Sequence, residues 1–324
     1  MARRKKRTEY PGKSRATSSG IQNLSEPEEP RPWSFDLQNY VVLFLDVLGQ
    51  KEEIFRYRLV PDDSPDVRRV VLQTAGTVRE LRNRALRVLR VDPDTEFMKS
   101  LSAEQQAELK KATHSEARVS QTLSDALVIS TPVGTDADNF TTVVNGIYLA
   151  LLTSSWLQLT ALASGHAIRG GMDLGWGVLL DDSEVYGAAL ASAYQLESSR
   201  ADYPRVVCGS VLRDFLETVV SQKSKSKLAE VAAYWANQSR RFMFRDDDGL
   251  VAVDFLGEGF HYVAHRHREI DSIVEPAFEF VWSECDRFTT YGPDKLARRY
   301  QRLECYMRSR RDLWWKTPRP SRKK

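Results

Sequence analysis

The sequence predicts an α/β fold of the α+β kind, and three observations carry that expectation. Tyr40-Val41-Val42-Leu43-Phe44-Leu45 is a continuous apolar run, the signature of a central strand buried on both faces. Ala117–Leu123 and Ala126–Thr131 are two short strand-like segments separated only by Ser124-Asp125, which is hairpin spacing. Several long segments instead repeat their apolar residues every three or four positions, as amphipathic helices do.

Residues 1–34 mix Lys/Arg with Ser, Pro and the cluster Ser25-Glu26-Pro27-Glu28-Glu29-Pro30, which reads as a disordered basic arm. The apolar strand of residues 40–45 follows and ends in Asp46-Val47-Leu48-Gly49. From Val67 to Leu89 a helix is expected, with Val70, Val71, Thr74, Val78, Leu81, Ala85 and Val88 on its apolar face. Its other face carries Arg68, Arg69, Arg79, Arg82, Arg84 and Arg87, and without interleaved aromatics that face reads as solvated rather than as a nucleic-acid stripe. Residues 91–116 read as a polar insertion with a short helix from Ser102 to Lys111. After the hairpin come an uncharged helix over 137–163 and a glycine-rich strand over His166–Leu180. Its Gly170, Gly171, Gly175 and Gly177 fit neither a dinucleotide fingerprint nor a P-loop, and suggest a twisted strand on which something packs closely. A helix at Leu190–Leu196, a strand at Arg205–Cys208, helices at 209–220 and 225–240 and a strand at Leu250–Phe255 follow. Helices over 262–284 and 293–312 close the chain. The domain expectation is thus an arm over 1–34, a main domain over 35–260 and a helical extension with a basic tail over 261–324.

Composition excludes several classes. With 324 residues, 42% hydrophobic and 10% aromatic, the chain can bury a large core and is neither collagen-like nor coiled coil. The net charge of +3 hides an asymmetry. Residues 1–20 hold seven Lys/Arg against one Glu, and residues 306–324 hold eight against one Asp, so the ends carry +13 and the body −10. Nucleic acid could be held by those tails, but clustered charge at disordered ends is more often a solubility device. Three widely spaced cysteines argue for reduced thiols and a cytoplasmic protein. Residues 139–168 lack Asp, Glu, Lys and Arg, yet Asn145, Ser154, Ser155 and Gln158 make them too polar for a spanning helix, so no membrane is expected. His261 and His265 stand one helical turn apart without an acidic partner, and with His267 read as surface rather than as a metal site. Trp314-Trp315 reads as the anchor of the last helix.

The chemistry centres on Asp46 and Asp125. A strand ending in Asp46 and a hairpin tip at Asp125 can bring two carboxylates together, and two close carboxylates favour a cation between them. Hard oxygen donors suit Mg²⁺ or Mn²⁺, and a two-ion site of this kind can hold a nucleoside triphosphate. On spacing alone, the alternative stays open that one aspartate caps a turn and the other is a solvated hairpin residue.

The order of motifs adds to this. Phe44-Leu45-Asp46-Val47-Leu48-Gly49, Leu123-Ser124-Asp125-Ala126, Arg169-Gly170-Gly171-Met172-Asp173-Leu174-Gly175 and Val185-Tyr186-Gly187 through Glu197 resemble, in order and spacing over residues 38–210, the class III nucleotide cyclases. The segments LDVLG and SDALVIS and the long helical C-terminal part resemble the bacterial pyrimidine cyclases of Pycsar anti-phage systems. That resemblance implies a ferredoxin-like core, a homodimer with active sites at its interface, and a two-ion Mn²⁺ or Mg²⁺ centre on Asp46, Asp125 and the Val47 carbonyl. It also implies a turn of Leu48, Gly49, Gln50 and Lys51 against the triphosphate.

Where adenylyl-type relatives read the base with Lys and Asp, this chain has Gln121 and Glu184, the latter beside Val185. Both can hydrogen-bond a base edge, and together they are compatible with a pyrimidine. The family's ribose and transition-state Asn and Arg align with Ala191 and Gln195, so the chain lacks that cation there; Gln195 and Ser192, or Arg200 or Arg205, are the candidates to substitute. The expectation is a cytoplasmic cyclase of UTP, ahead of CTP, that makes a 3′,5′-cyclic monophosphate and pyrophosphate to activate a separate effector in anti-phage defence. The alternative is a catalytically weak nucleotide sensor, or a nucleic-acid-binding protein, on the same fold.

Overall fold

The computed structural model describes residues 35–57, 63–88, 102–103, 106, 119–135, 140–180, 184–222, 226–267 and 270–315. From Phe35 onward the chain forms one compact unit. The arm of 1–34, the insertion of 91–116 apart from three of its residues, and the tail beyond Trp315 lie outside the described residues.

The first six main elements are β1 (Leu37–Val47), a helical segment, β2 (Val119–Leu123), β3 (Ala126–Gly134), a long helix and β4 (Ile168–Leu180). The helical segment holds α1 (Gln50–Ile54), α2 (Pro65–Val71) and α3 (Thr77–Val88), with a π-helical turn at Leu72–Gly76 between the last two. The long helix is α4 (Phe140–Ala163). The strands lie in the order β2-β3-β1-β4 with every neighbour antiparallel, which is the ferredoxin-like βαββαβ arrangement. β5 (Glu184–Gly187) pairs with the far end of β4, and α5 (Ala188–Arg200) starts directly after it. β6 (Val206–Cys208), β8 (Val251–Val253) and β7 (Met243–Arg245) extend the sheet beyond β4. Between β6 and β7 run α6 (Ser210–Ser221) and α7 (Lys227–Arg240). The chain ends in α8 (Glu258–Ala264), α9 (Asp271–Tyr291) and α10 (Asp294–Trp315).

The apolar run of β1 is continuous because both its faces are covered. Val41, Leu43, Leu45 and Val47 join the main core with α3 and α4, while Tyr40, Val42 and Phe44 pack with Val185, Ala189 and Ala193 of the β5–α5 layer. Helix α4 is long and apolar enough to pass for a membrane span, but 89% of that window is buried inside the protein, against the sheet, α7 and α9. Its polar residues stay local: Ser155 and Thr160 hydroxyls donate to carbonyls one turn back.

Three boundaries differ from the sequence expectation. Residues 262–284 are not one helix; α8 ends at Ala264 and α9 starts at Asp271, with the Gly257 N-cap and its close approach to Asp254 setting the earlier start of α8. The strands β5 and β7 have four and three residues, too short for a periodic signal. The arginine helix is interrupted by the π turn, where the Gln50 side-chain amide reaches the carbonyls of Gln73 and Thr74, both at 3.4 Å. Its arginines face solvent as expected, paired as Arg68–Asp63, Arg69–Asp66 and Arg84–Glu80.

The last helix is pinned by one buried carboxylate. Asp254 accepts from the Tyr306 hydroxyl at 2.9 Å and from Arg310 Nε and Nη2 at 2.9 and 3.0 Å. The Leu256 N–H donates to Tyr306 and the Trp314 indole N–H donates to the Leu256 carbonyl, both at 2.9 Å. Trp315 packs edge-on against Phe278, so both tryptophans anchor α10.

Candidate functional site

The site is built at the C-terminal end of β1. Residues 40, 42, 44 and 46 alternate onto the face that carries α5, so the Asp46 side chain leaves the sheet on that side. The β2–β3 hairpin closes in two residues, with Ser124 at φ +57 and Leu123 paired with Ala126. Because Asp46 pairs with Ala126, this tight turn sets Asp125 next to it, and the Val47 N–H donates to the Asp125 carbonyl at 3.2 Å. The spacing that suggested two neighbouring carboxylates is thus realised by strand register.

Two further charged groups join them. Arg169 sits directly opposite Asp46 in the β1–β4 register, and its Nε lies 3.2 Å from Asp46 Oδ2 and 2.7 Å from Glu197 Oε1. Glu197 comes from α5 and is only 4% exposed. Two carboxylates therefore meet at one guanidinium nitrogen, and the Asp125 charge acts on both of them. Burial pushes the Asp46 carboxyl up, Arg169 opposes this, and Asp125 adds to it. Glu197 is also raised, first by burial, against Arg169, with Asp46 and Asp125 reinforcing the rise. Sequence reasoning did not assign roles to Arg169 and Glu197. The signals were the place of Arg169 at the head of the glycine-rich strand and of Glu197 at the end of the last motif, and neither shows that the two side chains meet.

The donor set fits a divalent cation of the Mg²⁺ or Mn²⁺ type. Asp46 Oδ1 and the Asp125 carboxylate accept no hydrogen bond from a described residue, and both are hard oxygen donors. Among the described residues no group of three His, Cys, Asp or Glu side chains is arranged around a common metal position. Two carboxylates completed by substrate phosphates is the usual protein contribution to Mg²⁺–nucleotide binding.

Beside the carboxylates, the chain turns at Gly49 with φ +85, a conformation glycine adopts without strain. The Leu48 N–H is spent on the Ala167 carbonyl at 2.9 Å, which corrects the expectation that its amide faces the phosphates. Gly49 and Gln50 open onto a cavity of about 670 Å³ that also meets His166, Arg299 and Tyr300. The Gln50 side chain is turned inward to the π turn, and the Lys51 side chain lies outside the described residues.

The remaining candidates separate. Gln121 on β2 and Glu184 at the start of β5 are on strands that approach one another, with Glu184 exposed and Val185 buried beneath it. Gln195 and Ala191 lie on the exposed side of α5. Ser192 is on its inner side and donates to Asp173 Oδ2 at 2.6 Å. Asp173 in turn accepts from the Leu212 N–H at 3.0 Å, so it caps α6 from a distance and Ser192 holds it there. Arg205 is buried in ion pairs with Asp246 and Asp248 and is not free to serve Asp46. His261 and His265 stack on each other with ring centroids 5.3 Å apart.

The glycines of β4 have a steric reason. A Cβ on Gly171 would lie 2.1 Å from the Ala193 carbonyl oxygen, and one on Gly175 would lie 3.0 Å from the Ala189 nitrogen. Helix α5 rests directly on the bare strand, which is what brings Glu197 to Arg169. Past α5 the same face is an apolar groove of about 640 Å³ lined by Phe44, Ala126, Trp176, Tyr186, Leu190 and Tyr194.

No protein-family model and no curated protein sequence matches the chain. Solved structures similar to it include the adenylyl cyclase CyaB from P. aeruginosa, at 12% identity over 58% of this chain and 84% of that one, with a TM-score of 0.35. A bacterial light-regulated adenylyl cyclase matches at 12% identity over 75% and 99%, with a TM-score of 0.37. A class III adenylyl cyclase-like ATP-binding protein from Pseudomonas aeruginosa matches at 18% identity over 61% and 40%, with a TM-score of 0.32.

Proposed function

We propose that this protein is a metal-dependent nucleotide cyclase acting on a pyrimidine triphosphate, UTP ahead of CTP. The observation that carries the reading is the pair Asp46 and Asp125, set side by side by strand register next to the Gly49 turn. A bound Mn²⁺ or Mg²⁺ pair would supply a lowered pKa at the attacking hydroxyl and charge neutralisation at the phosphates. Asp46, Asp125 and the Val47 carbonyl would hold those ions. The Gly49 and Gln50 amides would meet the triphosphate, with Lys51 adding charge. Gln121 and Glu184 would read the base edge, with Val185 beneath it. The 3′-oxygen forms a bond to the α-phosphorus as the bond to pyrophosphate breaks, and the hydroxyl proton leaves to solvent.

The exposed apolar groove over Phe44, Trp176 and Tyr194 supports a homodimer formed on the α5 face, which would put a partner beside Asp46. The product would act on a separate effector in anti-phage defence, a role supported by the sequence motifs alone. A second reading, a nucleotide sensor with weak turnover, is favoured by Ala191 and Gln195, neither of which is a cation at the two positions where the resemblance implies Asn and Arg. Turnover of UTP and CTP with Mn²⁺ decides between them. Cyclic product lost in both Asp46→Ala and Asp125→Ala supports the cyclase; bound nucleotide without product supports the sensor.

A further inference from the structure

The cation beside Asp46 is held by two strands and a helix at once. Arg169 faces Asp46 by register, and Glu197 is brought within 2.7 Å of the same Nε only because α5 lies on Gly171. The side chains of Arg169 and Asp46 are 22% and 20% exposed, while Glu197 is buried, so the assembly is anchored on its inner side and open on its outer one. Arg169 engages Oδ2 of Asp46 and leaves Oδ1 without a donor among the described residues.

We infer that Arg169 is a positioning residue for the metal-binding carboxylate, held in place by Glu197. The inference rests on the proposed metal-dependent reading of the site. A lone aspartate at a strand end can rotate about its side-chain torsions, and ordering it costs entropy when an ion binds. Clamping one oxygen leaves the other at a fixed outward position, as outer-shell partners do for metal ligands generally. Glu197 balances the guanidinium charge, so that the clamp does not repel the ion it prepares for.

This makes a prediction opposite in sign to simple electrostatics. Removing a positive charge next to a cation site should tighten cation binding. If Arg169 positions Asp46, Arg169→Met instead weakens Mn²⁺ binding by about tenfold or more. Free Mn²⁺ can be titrated by electron paramagnetic resonance against the intact protein, with no nucleotide present, and folding checked by circular dichroism. Because Arg169→Met strands the buried Glu197, the double variant Arg169→Met/Glu197→Gln is measured beside it. Weakened binding in both folded variants, with Asp46→Ala binding no ion at that site, is the expected result. Wild-type or tighter affinity in the double variant would overturn the positioning role, and would leave Arg169 as the counter-ion of Glu197. If the wild-type protein itself binds no Mn²⁺ that Asp46→Ala removes, the metal-dependent reading fails and the inference falls with it.

Discussion

Gly171→Ala is the substitution that tests how the site is assembled. The new Cβ would lie 2.1 Å from the Ala193 carbonyl oxygen, 2.6 Å from Leu196 Cβ and 2.9 Å from the Glu197 nitrogen. Two of these atoms are α5 backbone, so no side-chain rotation relieves the clash; the helix must move outward by roughly 1 Å to restore ordinary contact. Overpacking a well-filled interface costs about 1–3 kcal/mol, and a clash against backbone puts this variant at the upper end, near 3 kcal/mol. The displaced helix carries Glu197 away from Arg169, so Mn²⁺ affinity should fall together with stability. Urea unfolding should show a lower midpoint with an unchanged slope. Gly76→Ala is the control: its nearest neighbours would be 3.8 Å away, so the loss of backbone freedom in the unfolded chain should leave it neutral or up to about 1 kcal/mol more stable. A Gly171→Ala protein within about 0.5 kcal/mol of wild type would refute the close-packed arrangement of β4 and α5.

Other parts of the structure give sharper single tests. Hydrogen bonding from Arg205 holds the Asp248 carboxyl down at about 2, below the usual value near 4. Its contribution is therefore fully present above about pH 4 and is lost as pH falls through about 2. After discounting for its partial exposure, about 1–2 kcal/mol of acid sensitivity should disappear in Asp248→Asn, read from melting temperature against pH. Tyr306→Phe leaves the buried Leu256 N–H without its acceptor and removes one donor from Asp254, and should cost about 2–4 kcal/mol in denaturant unfolding. Tyr194→Arg on the apolar α5 face should convert the proposed dimer to a monomer by light scattering with little change in melting temperature, since that side chain is 54% exposed in the single chain.

Much of the fold was legible because its signals are local. Tyr40–Leu45 announced a strand covered on both faces, and Ser124-Asp125 announced a two-residue hairpin, since those patterns depend on neighbours in sequence. The strand end at Asp46 and the hairpin tip at Asp125 could be read as well, while their meeting needed the long-range pairing of β1 with β3. Arg169 and Glu197 were not assigned, since their meeting depends on β4 lying antiparallel to β1 and on α5 crossing Gly171, contacts more than 20 residues apart in sequence. Ser192 shows the converse. Its place in a motif pointed to chemistry, but its hydroxyl is committed to Asp173, a partner that only the folded sheet supplies. The charge split of the sequence is also clearer. Asp46, Asp125 and Glu197 against Arg169 concentrate part of the acidic body at one site, where the excess negative charge suits a cation.

If Asp46 and Asp125 support cyclisation of a pyrimidine nucleotide as proposed, the products of a nucleotide mixture will show it. The most direct measurement is to incubate the protein with Mn²⁺ and an equimolar mixture of ATP, GTP, CTP and UTP, and to identify every product by mass spectrometry. One pyrimidine triphosphate should be consumed, UTP before CTP, with cyclic monophosphate and pyrophosphate formed in equal amounts and neither formed by Asp46→Ala. A purine cyclic monophosphate as the main product, or no cyclic product from the wild-type protein, would contradict it.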